Sequence, residues 1–114
     1  MPFKKFQVTR DTCSIIPDVS KMLDFKNNSD EIIKFITQNN CKKLILNLRG
    51  LNLVDSISVA MLVSSAHYSK YYDDGSFRVV VDDEETMRHM KDKGYLNNAD
   101  VVFEDLSSDL YCLA

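Results

Sequence analysis

Apolar positions along the chain change period several times, and each change marks an element. Phe3, Phe6 and Val8 alternate with polar neighbours across Lys4 to Arg10, which predicts a strand. Cys13 to Ile16 predicts a second strand, stopped by Pro17. Between Asp18 and Phe25 the residues Val19, Met22 and Leu23 fall at helical spacing, and Lys26-Asn27-Asn28-Ser29 reads as a break. Asn28 with Glu31 three residues on has capping-box spacing, and Ile32, Ile33 and Ile36 supply the buried stripe of a helix ending near Gln38-Asn39-Asn40.

Leu44-Ile45-Leu46-Asn47-Leu48 is the strongest strand signal, and its near-continuous apolar character predicts a central position covered on both faces. Apolar sequence resumes at Leu51, Leu53 and Val54 and stops at Asp55-Ser56. Val59, Leu62, Val63 and Ala66 then mark a helix reaching about Tyr71, before a turn at Asp73-Asp74-Gly75. Phe77 to Val81 predicts another interior strand. Asp83 to Met90 predicts a helix with an acidic start against the positive end of its dipole, closed by Gly94. Val101 to Phe103 predicts a last strand and Leu106 to Leu113 a terminal helix. The order β-β-α-β-α-β-α-β-α predicts one α/β domain over 1–114: a mixed, mainly parallel sheet of about five strands with helices packed on it. The first two strands are placed for a hairpin.

Composition narrows the function classes. The chain has 114 residues, 45% of them apolar and 27% charged, which suits one globular domain. Fourteen Lys/Arg against seventeen Asp/Glu give a net charge of −3, so no excess of positive charge drives binding to a nucleic-acid backbone. No apolar run approaches the roughly 20 residues of a membrane span. Met-Pro-Phe-Lys-Lys leads into polar sequence instead of an apolar signal core, so a soluble, cytoplasmic chain is expected. Cys13, Cys41 and Cys112 are odd in number and widely spaced, and read as structural or incidental reduced thiols. No metal or cofactor is expected: His67 and His89 lie on different predicted segments from the cysteines, and no glycine-rich phosphate loop is present.

Leu53-Val54-Asp55-Ser56-Ile57-Ser58 is the informative junction, where a buried strand runs into a helix. Asp55 suits an N-cap, and Ser56 then falls at the first helical position with its hydroxyl toward solvent. A phosphate on Ser56 would sit near unpaired backbone N–H groups, adding about −1.5 to −2 charges where the helix dipole tolerates them.

Residues 43–105 resemble the STAS domain, the fold of anti-sigma-factor antagonists and of sulphate-transporter tails. The motif that carries the resemblance runs Leu44-Ile45-Leu46-Asn47-Leu48-Arg49-Gly50-Leu51-Asn52-Leu53-Val54-Asp55-Ser56, with the later strands and helices in the family's order. The resemblance implies a protein that binds an anti-sigma factor with serine-kinase activity. It is then phosphorylated on Ser56, with Ser58 as second choice, and reset by a phosphatase. Asp55, Ser56, Ile57, Ser58 and Met61 are the implied partner-binding residues, and the domain has no catalytic group of its own. The chain departs from the family at Ile57 and Ser58, where regulators carry a small residue and then glycine, and at Asn47, where an aspartate is common. The departure at glycine keeps open an alternative, a non-phosphorylated interaction module of a larger sensing or transport complex.

Enzymatic readings find less support. His67 lies three turns along the helix from Ser56, roughly 16 Å away at helical rise, too far for a nucleophile–base pair. No Gly-x-Ser-x-Gly elbow is present. Asp82-Asp83-Glu84-Glu85 suits a solvated helix start better than a cation site. Of Tyr68, Tyr71 and Tyr72, Tyr71 is expected to pack against the core.

Overall fold

The computed structural model describes residues 3–21, 27–93 and 99–103. Among these residues five strands form one sheet in the order β1 (Phe3–Gln7), β2 (Thr12–Pro17), β3 (Lys43–Asn47), β4 (Ser76–Val81) and β5 (Ala99–Phe103). β1 and β2 pair antiparallel, and the remaining pairs are parallel. Among the described residues, three helices connect the parallel strands: α1 (Ser29–Gln38), α2 (Leu53–Tyr71) and α3 (Glu84–Lys93). Short 3₁₀ turns stand at Val19–Lys21 and Tyr72–Asp74. The helix expected from Asp18 to Phe25 is therefore a single 3₁₀ turn as far as it is described. Gly94 and the helix expected at Leu106–Leu113 lie outside the described residues.

Strand pleating decides what the helices cover. The cross-strand rows Gln7–Cys13–Leu44–Phe77–Ala99 and Lys5–Ile15–Leu46–Val79–Val101 share one face. Cys13, Ile15, Leu44, Leu46, Phe77, Val79 and Val101 from these rows are buried in one cluster with Ile32, Ile36, Val59, Val63 and Met90 of the helices. Right-handed crossovers between sequential neighbouring strands place all the crossover helices on the same side. The opposite row, Phe6–Ser14–Ile45–Arg78–Asp100, gains less cover: Ile45 is half-buried and Phe6 is exposed. The expectation that β3 is covered on both faces is corrected accordingly. An apolar run can mark a central strand without marking a doubly covered one.

The cysteines also need correction. Cys13 of β2 and Cys41, just before β3, are both wholly buried and joined by a disulfide. Their sequence separation of 28 gave no sign of contact. Parallel pairing of Cys13 with Leu44 brings the two together. Cys112 lies outside the described residues.

The C-terminus of α1 and the N-terminus of α3 are closed by side chains, one distant and one adjacent in the chain, whereas the N-cap Asn28 of α1 makes no side-chain cap bond. Lys70, in the last turn of α2, donates to the carbonyls of Ile36 (3.2 Å), Thr37 (2.8 Å) and Asn39 (2.7 Å), capping the C-terminus of α1. A cation is well placed there, because the unpaired carbonyls carry the negative end of the dipole. Asp83 precedes α3, and its carboxylate accepts from the Thr86 hydroxyl (2.8 Å) and backbone N–H (3.3 Å). The Thr86 hydroxyl holds the Asp83 carboxyl below its ordinary range. The acidic start of this helix is thus a cap, as the sequence suggests.

Candidate functional site

The link from β3 to α2 is a held turn. Leu48 N–H donates to Val80 O (2.8 Å), and Leu51 N–H to Leu48 O (3.1 Å). Gly50 adopts φ 91°, a conformation that favours glycine, and its N–H donates to Asp82 Oδ2 (2.9 Å). Asn47 Oδ1 accepts from both Arg49 N (3.1 Å) and Arg49 Nε (3.2 Å). Asn47 and Asp82 therefore fix the loop that delivers the chain to α2.

The helix begins earlier than the sequence suggests. Asn52, with ψ 171°, is the N-cap, and its Oδ1 accepts from Asp55 N–H at 2.8 Å. Asn52 Nδ2 donates in return to Asp55 Oδ2 (3.3 Å), and Ser56 N–H to Asn52 O (2.9 Å) makes the first helical bond. Asp55 is consequently the third helical residue, and Ser56 the fourth. The expectation of Asp55 as N-cap and Ser56 as first helical residue is overturned. Asn52 with Asp55 three residues on was the available signal. The apolar Leu53-Val54 masked it by extending the strand-like pattern.

Moving the helix start rotates every downstream side chain. Ser56 joins the core-facing stripe with Val59, Ala60, Val63 and His67, and its own exposure is 0%. Among the described residues its hydroxyl has no hydrogen-bond partner, and it is not turned to solvent, contrary to expectation. Ser58 is exposed instead. At four and seven residues from Val54, Ser58 and Met61 lie on one stripe of the helix with it. Val54 is 70% exposed and Met61 45%. Asp55 and Ile57 are half-buried beside this stripe. Of the implied binding residues, Ser58 and Met61 thus share an open face, while Ser56 is withdrawn beneath it. Val54, not among those residues, is the most exposed apolar side chain on the stripe.

The remaining candidates serve the fold. His67 is buried near the other end of α2, where Nε2 stands 3.0 Å from Lys42 O. Its ring stacks on Phe77 at 5.8 Å and lies 5.0 Å from the Tyr71 ring. Burial pushes its pKa below the ordinary 6.5, so the neutral ring, donating from Nε2, is the stable form. Tyr71 packs as expected, and its hydroxyl accepts from Cys41 N–H (2.7 Å) and donates to Asn39 O (3.2 Å). Tyr72 is exposed and meets Tyr68 edge-on at 5.9 Å.

On the less covered face of the sheet, Thr12, Lys43, Ile45, Ser76 and Arg78 line a shallow depression. Lys43 and Arg78 stand near Asp11 (4.0 Å) and Asp100 (3.5 Å), which offset their charge. Among the described residues no group of three His, Cys, Asp or Glu is placed to hold a metal ion. No described helix is long and apolar enough to cross a membrane. Comparison with protein-family models, curated proteins and solved structures finds no match.

Proposed function

We propose that this chain is a STAS-type interaction domain of the anti-sigma-factor-antagonist kind. In this reading it acts in the cytoplasm and docks on an anti-sigma factor with serine-kinase activity. The observation that carries the proposal is the solvent-facing stripe Val54, Ser58 and Met61 at the start of α2. A stable single domain gains nothing from placing Val54 and Met61 in water, whereas a partner that covers them gains apolar burial. The stripe stands on the helix where the resemblance puts partner binding. The five-strand order and the three described helices agree with the architecture it implies.

Control by phosphorylation favours Ser58 over Ser56 on this geometry. A kinase reaches Ser58 directly, and reaches Ser56 only if the first turns of α2 open. A phosphate on Ser58 would put about −1.5 to −2 charges in the middle of an apolar contact and repel it until a phosphatase removes the group. The burial of Ser56 together with Ile57 in the family's small-residue position supports the second reading, a docking module that is never phosphorylated.

Capture from native lysate with wild-type, V54D and S58D baits, read by quantitative mass spectrometry with phosphosite mapping, separates the two. An ATP-binding kinase retained by wild type alone, with phosphate on Ser58, is the expected result. A partner lost only with V54D, and no phosphate, makes the chain a passive module. Equal capture by all three baits removes the stripe from consideration.

A further inference from the structure

The link between α1 and β3 has its polar groups tied on several sides. Asn39 O accepts from Lys70 Nζ (2.7 Å) and from the Tyr71 hydroxyl (3.2 Å). Asn40 O accepts from Gln7 Nε2 (2.7 Å), and Cys41 N–H donates to Tyr71 Oη (2.7 Å). Lys42 O accepts from Ser76 N–H (2.9 Å) and faces His67 Nε2 (3.0 Å), while Lys43 N–H donates to Asp11 O (2.8 Å). These bonds come from β1, the turn between β1 and β2, α2 and β4, and none of them involves a sulfur atom. They hold Cys41 with its Cα 5.0 Å from that of Cys13, both side chains wholly buried.

We propose that Cys13 and Cys41 form a redox-sensitive staple, a dithiol–disulfide pair that the fold keeps in register in both oxidation states. Because hydrogen bonds and the core already position the link, the fold does not depend on the covalent bond. The bond instead removes the freedom of the loop it closes, which contains the rest of β2 and all of α1. Its reduction leaves a folded chain whose Asn39–Lys42 link opens more readily. Through Tyr71, Lys70 and His67, that opening releases the hold on the last turns of α2.

The chemistry balances with a small-molecule thiol couple such as reduced and oxidised glutathione. A glutathione thiolate attacks one sulfur of the pair, forming a mixed disulfide as the protein S–S bond breaks and the other cysteine leaves as thiolate. A second glutathione thiolate attacks the mixed disulfide and releases oxidised glutathione. Two electrons pass to the protein, and the two protons of the glutathione thiols end on Cys13 and Cys41. Oxidation is the reverse. Since both sulfurs are buried, exchange proceeds from states in which the link has opened, and sub-denaturing urea accelerates it.

The test equilibrates the whole chain in buffers of varied glutathione ratio, quenches, alkylates under denaturing conditions and maps the modified peptides, so that Cys112 is followed separately. Cys13 and Cys41 should pass from protected to alkylated together. The reduced end should melt cooperatively at a temperature lower by on the order of 10 °C. Amide exchange should quicken at residues 39–42. The C13A/C41A variant should melt like the reduced chain and ignore the glutathione ratio; if it does not fold, the reduced wild type supplies the same comparison. Full alkylation of either cysteine at the oxidising end, or equal melting temperatures at the two ends, would falsify the proposal. A reduced wild type without a cooperative transition also overturns it, because the bond would then be a structural requirement.

Discussion

The ring of His67 occupies the space that a side chain at Gly75 would need. A Cβ built on Gly75 would stand 2.6 Å from His67 Cε1, 2.8 Å from Tyr71 Cβ and 3.0 Å from Lys42 O. Gly75 has φ −91°, so the glycine answers to close approach and not to a left-handed backbone. The turn before β4 can therefore lie flat against α2 only without a side chain. Substituting Gly75→Ala should destabilise the fold by about 1–3 kcal/mol through this overlap. An unshifted urea midpoint would show that the His67 ring moves aside freely.

His67 should make stability fall in mild acid. Burial lowers its pKa in the folded chain below 6.5, and an unfolded chain restores the ordinary value. The contribution is therefore fully present above 6.5 and is lost as pH falls through the folded value, because the unfolded chain binds the proton first. Urea unfolding at neutral pH and at about pH 5.5 should show a larger loss for wild type than for H67Q, which keeps a donor for Lys42 O but does not titrate. Identical losses in the two proteins would assign the pH dependence to other groups.

Ser56 should be a stability cost in the isolated domain. Its buried hydroxyl has no hydrogen-bond partner among the described residues, and an unsatisfied group of this kind costs about 1–3 kcal/mol. Ser56→Ala removes the group and gains helix propensity, so the denaturation midpoint should rise. A fall would mean that the hydroxyl finds a partner after all. A rise accompanied by loss of partner binding would show that Ser56 is kept for recognition at the expense of stability.

Asn52, and not Asp55, should carry the larger capping contribution to α2. Asn52→Ala removes the acceptor of Asp55 N–H and should cost about 0.5–2 kcal/mol. Asp55→Ala leaves that acceptor in place and should cost less. If the order were reversed in paired chemical-denaturation curves, the helix would begin nearer Asp55.

Much of the fold is legible in the linear pattern. The alternating Phe3-to-Val8 stretch, the Leu44–Leu48 run, the Ile32/Ile36 stripe and the acidic start at Asp83 each identify an element that is present. Local periodicity and capping chemistry are properties of a few consecutive residues, so the sequence alone identifies these strands and helices and the mainly parallel pairing between them, while the helix expected over Asp18–Phe25 is a 3₁₀ turn as far as it is described. Phase and partnership are different matters. Whether α2 begins at Leu53 or after Asp55 was decided by the Asn52 cap and the tethered Arg49–Gly50 loop, and that choice alone turned Ser56 inward and Ser58 outward. The meeting of Cys13 with Cys41, the one-sided cover of β3 and the fit of Gly75 against His67 are contacts between distant segments. Only the tertiary structure fixes them, because a helix presents a different face for every residue by which its start is displaced, and a contact exists only once the sheet has set its register.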